Sequence, residues 1–238
     1  MVEPLPTRAR PPRRTAPRRT TPTAATVDQL TPRGLRTREA MLAAARRVFE
    51  RDGFLDARIT DISAEANMAH GTFYKYFDSK EQVFMEVIER SQEELFAERP
   101  SRQSAAETPF ERILETNRAY YEAYRRNRAL NKVLEAVATF DDTLRQQRVV
   151  IRRRYVDRTE KAIRRWQAEG LASPHLDPHY AASSLGSMVD RTIYVWLVLG
   201  EDHDPDVGLD TLSRLWVRAL GLPEPDPVPP RRKRRRST

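Results

Sequence analysis

A short segment around residue 75 combines the side-chain types that contact the phosphates and base edges of nucleic acids. Imidazole, hydroxyl and ammonium groups donate hydrogen bonds to both, and a glycine lets the backbone approach DNA closely. Phe73 and Phe77 are four residues apart and should anchor the segment to a core. The segment is therefore a candidate DNA-contacting surface, formed by His70, Gly71, Thr72, Tyr74, Lys75, Tyr76 and Lys80.

Three predicted helices position these residues. The first runs from Thr37 to Asp52 and ends at Gly53, and a short helix follows over Ile59–Ala66. Residues 67–69 form a three-residue turn in which Asn67 tolerates the left-handed conformation. A second short helix, His70–Tyr76, then completes a helix-turn-helix, whose second helix enters the major groove of DNA.

The segment from Ile62 to Glu81 resembles the DNA-binding signature of the TetR family of repressors. That signature reads Ile-Ala-x-x-Ala-Gly-Val-Ser-x-Gly-Thr-x-Tyr-x-Tyr-Phe-x-x-Lys-Glu, and the match is nearly complete from Gly71 onwards. The resemblance implies that Tyr74 and Lys80 contact phosphates and that Thr72 and Lys75 contact the groove. Alternatively, Tyr74 and Tyr76 pack within the small domain.

Three departures from the signature change the expected contacts. Arg58 replaces the usual capping Thr or Ser and is free to contact phosphate, with Asp56 or Thr60 sharing the cap. Asn67 replaces glycine in the turn, and Ala69 replaces a serine that would cap the next helix. The predicted DNA-binding set is Arg36, Arg38, Arg58, Thr60, Ala69, His70, Gly71, Thr72, Tyr74, Lys75, Tyr76 and Lys80.

The positive charge of the chain is concentrated at its ends. The net charge is +8, yet residues 37–220 hold 28 basic and 30 acidic residues. Twelve of the 17 prolines also lie in residues 1–36 and 221–238. We therefore predict a disordered basic arm over residues 1–34 and a disordered basic tail over residues 222–238. These ends either contact phosphates or act as solvated tails.

The body between the ends favours an all-α fold of about nine helices, because Ala, Leu, Glu and Arg dominate and period-2 alternation is absent. We predict a helix-turn-helix domain over residues 35–83 and a ligand-binding and dimerisation domain over residues 84–221. The chain has no cysteine, and prolines flank His175 and His179, so we expect no metal site and no cofactor. No apolar run is long enough for a membrane span, which leads us to expect a cytoplasmic protein.

Aromatic and polar side chains within apolar stripes suggest a pocket for a largely apolar small molecule. Its predicted lining is Asn117, Tyr121, Tyr124, Tyr155, Trp166, Met188 and Thr192, although ordinary core packing is the stronger explanation for any single aromatic residue. The broad apolar surface of residues 178–220 suggests a homodimer, as the family resemblance implies.

Together these features predict a dimeric transcriptional regulator that binds a palindromic double-stranded DNA operator. The resemblance implies a repressor that an effector releases. The alternative is an architectural protein that binds DNA of any sequence through its basic tails. No catalytic pair or phosphate-binding loop favours an enzyme.

Overall fold

A computed structural model describes residues 30–97 and 108–224, and this part of the chain contains helices and turns without a strand. The predicted all-α class and the expected helix number are confirmed there. Most of the predicted arm and tail lies outside the described residues. The helices are α1 (Pro32–Asp56), α2 (Ile59–Glu65), α3 (His70–Phe73), α4 (Lys80–Ala97), α5 (Pro109–Arg126), α6 (Arg128–Val137), α7 (Asp142–Ala168), α8 (Pro178–Leu197) and α9 (Pro205–Leu220).

Four helices begin with a capping side chain followed by proline. Thr31, Thr108, Asp177 and Asp204 each accept a backbone N–H of the first turn, and the next residue is proline in every case. Proline suits this position because its missing N–H would have no partner inside the helix. The cap at Thr31 starts α1 five residues before the predicted start at Thr37.

Gly53 interrupts α1 near the predicted end of that helix. Its φ of 76° and ψ of −176° break the helical path, and one further turn reaches Asp56. The left-handed φ favours glycine at this position. The break directs the chain into α2, so the predicted stop is confirmed although helical residues continue beyond it.

Two clusters of buried side chains form the core. The first joins α1–α4 with α6 and α7, and Phe49, Phe84 and Leu130 are among its fully buried members. The second joins α5 with α7–α9 around Ile163 and Ile193. Because α4 crosses residue 83 and the first cluster includes α6, the two predicted domains share a core at their junction.

Candidate nucleic-acid interface and internal pocket

The turn between α2 and α3 brings these two short helices together. Asn67 has a φ of 54°, in the left-handed region as the sequence predicts. The Met68 N–H donates to the carbonyl of Ser63 at 2.9 Å and closes the end of α2. The α3 helix is shorter than predicted, because residues 74–76 continue as turns after Phe73.

Two aromatic residues fix α3 to the core. Phe73 and Phe77 are both 0% exposed, and their ring centroids lie 5.6 Å apart. Their predicted role as anchors is confirmed. The opposite side of the segment faces outward: Ala69, His70, Gly71 and Lys75 are exposed and Thr72 is half-buried.

The rings of Tyr74 and Tyr76 are partly packed against the core and partly exposed to solvent. Both are half-buried and pack against the first core cluster, and Tyr74 lies edge-on to the rings of His70 and Phe73. The packing that we considered as an alternative is therefore present, and each ring still has exposed surface.

The neighbouring candidates lie at the ends of α1 and α2. Arg36, Arg58 and Thr60 are exposed, and the Thr60 hydroxyl contacts the Asp61 carboxylate at 3.3 Å. Arg58 occupies the N-cap position of α2 without a side-chain capping bond. The predicted sharing of this cap by Asp56 or Thr60 is absent in this part of the structure.

Two residues that the sequence predicts as phosphate contacts, Arg38 and Lys80, form hydrogen bonds within the protein. Arg38 is 7% exposed, donates through both terminal nitrogens to Glu86 of α4, and lies 4.7 Å over the Phe77 ring. Lys80 donates to the carbonyls of Phe54 and Ala57 at 2.7 and 3.0 Å. Both cations bind groups within the protein, so we remove them from the candidate interface.

An internal pocket of about 140 Å³ lies among α4–α9. Three of the predicted ligand-binding residues line it: Asn117, Tyr124 and Tyr155. The sequence interpretation missed other lining residues, of which the most informative are Gln92, Tyr120, Asn131, Arg148, Arg152, Asp190 and Trp216. A polar residue within an apolar stripe was the available signal for Arg148.

The other four predicted ligand-binding residues lie outside this pocket. The Tyr121 hydroxyl is 3.0 Å from Nε2 of His203, in the connection before α9. Trp166 is 5% exposed within the second core cluster, and Met188 packs against that cluster. The Thr192 hydroxyl donates to the Met188 carbonyl at 2.8 Å. A stripe of helix residues covers more surface than one pocket does. The pattern therefore included residues that lie outside the pocket.

A charged network spans one wall of the pocket. Arg148 donates to Glu135 at 2.7 Å and to Asp190 at 3.3 Å, while the Tyr120 hydroxyl donates to Asp190 at 2.5 Å. Burial opposes the charge of Arg148, but the two carboxylates raise its pKa above the ordinary value. Burial and the charge of Asp190 raise the pKa of Tyr120 well above its usual range.

The α4 helix connects the pocket with the DNA-binding helices. Gln92 lines the pocket, and six residues earlier Glu86 holds Arg38 of α1. Arg90, between them, donates to Glu39 of α1 at 2.7 Å, and this hydrogen bond lowers the pKa of Glu39. A displacement of α4 would therefore be transmitted directly to α1.

Residues 30–97 and 108–224 lack both a metal-ligand cluster and a helix suited to a membrane. These residues contain no group of three or more His, Cys, Asp or Glu side chains that could hold a metal ion. None of the helices described there has the length and apolar character required to cross a membrane.

Comparison with known proteins matches both halves of the chain to regulators. Residues 41–87 match the family model of bacterial regulatory proteins of the tetR family, and residues 113–221 match that of the C-terminal domain of the transcriptional regulator EthR. The HTH-type transcriptional regulator EthR of Mycobacterium tuberculosis is 26% identical over 200 residues, which cover 79% of this chain and 93% of EthR.

Solved structures share the fold. A TetR-family transcriptional regulator from Syntrophomonas wolfei superposes with a TM-score of 0.67 at 20% identity, covering 79% of this chain and 96% of its own. A transcriptional regulator from Saccharomonospora viridis in complex with choline gives 0.65 at 18% identity, covering 77% and 96%. The architecture described above is therefore one that known regulators share.

Proposed function

The chain belongs to the TetR family of DNA-binding transcriptional regulators, and we propose that it is a repressor that a small ligand releases from a palindromic operator. It is a regulator and not an enzyme. The curated relatives that it matches are also transcriptional regulators. We further propose the cytoplasm as its location, because there the chromosome is accessible in bacteria.

The proposed DNA contacts are the outward-facing side chains around α3. Thr72 and Lys75 would reach base edges, while Tyr74, Tyr76, Arg36, Arg58 and Thr60 would contact phosphates. His70 lies on the same exposed side, where Ala69 and Gly71 would leave room for close backbone approach. The burial of Phe73 and Phe77 supports this orientation, because it turns the other face of the segment outward.

The proposed homodimer forms through α8 and α9. Tyr180, Val207 and Leu215 are large side chains that are 73%, 63% and 44% exposed. The opposite faces of these helices are already packed, with Val189 and Trp216 buried in the second core cluster. A two-fold dimer would cover the exposed residues and present two recognition segments to half-sites separated by about one helical turn or a multiple of it.

The proposed ligand response is supported by the contacts that α4 makes with both the pocket and α1. A molecule in the pocket touches Gln92, and α4 holds α1 through Glu86 and Arg90. A ligand that favours a different position of α4 would thereby change the spacing of the two recognition segments and weaken operator binding. The regulator from Saccharomonospora viridis, which has the same fold, holds choline, so this fold is able to bind a small molecule.

Selection of bound fragments from genomic DNA by the full-length protein tests this function. At about 150 mM salt, we expect discrete sites that contain an inverted repeat, because two identical recognition segments are related by two-fold symmetry. A set of fragments without a shared motif would contradict the proposal.

Lys75→Ala then tests the placement of the interface. The variant should weaken binding to the selected site more than binding to a scrambled duplex, because Lys75 would contact base edges. Lys161→Ala removes the same charge from the exposed surface of α7 and serves as the control. Equal effects of the two substitutions would place the DNA elsewhere.

A further inference from the structure

The pocket lining carries more positive than negative charge. Three arginines, Arg148, Arg152 and Arg158, line it together with two acids, Glu135 and Asp190. Both acids are engaged, since Arg148 donates to each of them and Tyr120 donates to Asp190. One guanidinium therefore satisfies the carboxylates, and the other two are left with no acidic partner among the described residues.

Arg152 is the arginine best placed to receive an anion. Its Nη2 donates to the Ser183 carbonyl and to the hydroxyls of Ser183 and Ser187 at 2.6–3.1 Å, which are all neutral acceptors. The hydrogen bonds described for this side chain all leave from Nη2, so Nε and Nη1 keep their donors for a ligand. A guanidinium held by neutral groups and half-buried against a cavity favours a carboxylate or a similar anion.

Arg158 adds positive potential at the edge of the same pocket. It lies six residues after Arg152 on α7, about 9 Å further along the helix axis, and it is more exposed. Burial lowers the pKa of Arg158, with no neighbouring acid to oppose this effect.

Two buried donors in the lining also lack acceptors. Asn131 and Trp216 are 7% and 8% exposed, and neither Nδ2 of Asn131 nor Nε1 of Trp216 has a hydrogen-bond partner. A buried donor without an acceptor is costly, and an oxygen-bearing ligand would supply the missing acceptors. The lining of this pocket therefore lacks hydrogen-bond acceptors and negative charge.

The size of the cavity limits the ligand. Its volume is about 140 Å³, and an apolar cavity of about 150 Å³ holds one benzene molecule. Tyr124, Ile151 and Val189 offer apolar contact to a body of this size.

We propose that the pocket binds a compact organic anion, whose carboxylate contacts Arg152 and whose short apolar body fills the remaining space. This inference rests on the proposed function for its regulatory meaning, and it names the chemical class of the effector. A cation would find both acids already occupied by Arg148 and would face two further guanidinium groups.

Calorimetric titration of the full-length protein with matched ligands tests this selectivity. The first set is benzoate, benzamide and benzylamine, and the second is hexanoate, hexanamide and hexylamine. At least one carboxylate should bind about tenfold or more tightly than its neutral and cationic partners, because only the carboxylate pairs with Arg152. Equal or tighter binding of the amide or the amine, or no binding of either carboxylate, would overturn the proposal.

Variants then locate the contact. Arg152→Gln should remove most of the carboxylate preference, whereas Arg154→Gln, an exposed change on the same helix outside the lining, should leave it intact. Arg158→Gln should weaken carboxylate binding about threefold through lost potential, and its exposed position protects folding if Arg152→Gln is unstable. Unchanged preference in folded Arg152→Gln, or in Arg158→Gln where the first variant does not fold, would overturn the proposal.

Operator binding by the same preparations separates this inference from the proposed function. Selective operator binding without carboxylate preference would contradict only the anion proposal. Carboxylate preference in a protein without a preferred DNA site would contradict only the proposed repressor.

Discussion

Lys80 closes the end of the first helix. Its ammonium donates to backbone carbonyls of Phe54, Leu55 and Ala57 and lies 4.6 Å from the centre of the Phe54 ring. These carbonyls lie at the end of α1, where the last carbonyls of a helix have no partner within it. One side chain therefore connects the start of α4 to the end of α1.

Lys80→Met should lower the free energy of unfolding by about 2 kcal/mol, because hydrogen bonds to a charged group are lost while much of the side-chain volume is kept. Lys161→Met, on the exposed surface of α7, should cost about 0.5 kcal/mol or less. Urea denaturation measures both. Equal stabilities would show that the contacts of Lys80 contribute nothing.

Gly71 offers a second residue-level test. A methyl group at this position meets open space within the protein, so Gly71→Ala should leave stability unchanged or raise it by up to about 1 kcal/mol. Operator affinity should nevertheless fall about tenfold, because the methyl group would hold the backbone away from DNA. Full affinity in Gly71→Ala would exclude close backbone approach there.

Residue types near the turn predicted its local geometry well because the determinants of that geometry are local. Phe73 and Phe77 follow helical spacing, and Asn67 suits a left-handed turn. The intramolecular bonds of Arg38 and Lys80 could not be predicted because their partners are distant in sequence. Arg38 pairs with a residue 48 positions away, and a sequence pattern does not show such a pair.

At the scale of elements, α4 is the part of the fold that joins the first core cluster, which holds the candidate DNA-binding segment, to the pocket. Its first half packs Val83, Phe84 and Ile88 into the first core cluster, and Gln92 reaches the pocket. The sequence predicted an all-α body, to which this helix belongs. It could not predict the ion pairs to α1, which depend on how the two helices cross.

Glu86→Gln should destabilise the protein by about 2 kcal/mol, because Arg38 would remain as a buried charge with a weaker partner. Glu169→Gln breaks the pair of Glu169 with Arg165, two side chains about half exposed, and should cost about 0.5 kcal/mol or less. Thermal and urea denaturation compare the two variants. A cost for Glu86→Gln as small as that of the control would contradict the role of this pair in joining α1 to α4.

At the scale of the whole molecule, the pocket is lined by residues from the six consecutive helices α4–α9. The apolar stripes predicted that these helices face one another and correctly placed Asn117, Tyr124 and Tyr155. Which residue of each stripe faces the cavity depends on helix rotation, which the stripe does not show, and Tyr121, Trp166, Met188 and Thr192 lie outside the lining.

Because tyrosines of the pocket are buried, the free energy of unfolding should fall as the pH becomes alkaline. Burial raises the pKa of Tyr124 and Tyr155, as it does that of Tyr120. The resulting stability is complete below the ordinary tyrosine pKa of about 10 and is lost as pH rises towards the folded-state values. Denaturation at several pH values should show this fall, and Tyr155→Phe should reduce it more than Tyr180→Phe at an exposed position. Equal slopes in both variants would contradict the assignment.

The central claim is sequence-selective DNA binding by a two-fold dimer. Competition between a selected operator and a scrambled duplex of the same length, at about 150 mM salt, tests this claim most directly. We expect the full-length protein to prefer the operator by about 1,000-fold or more, with two protomers on each duplex. Equal affinity for the two duplexes would contradict this account and would instead indicate binding through the basic ends of the chain.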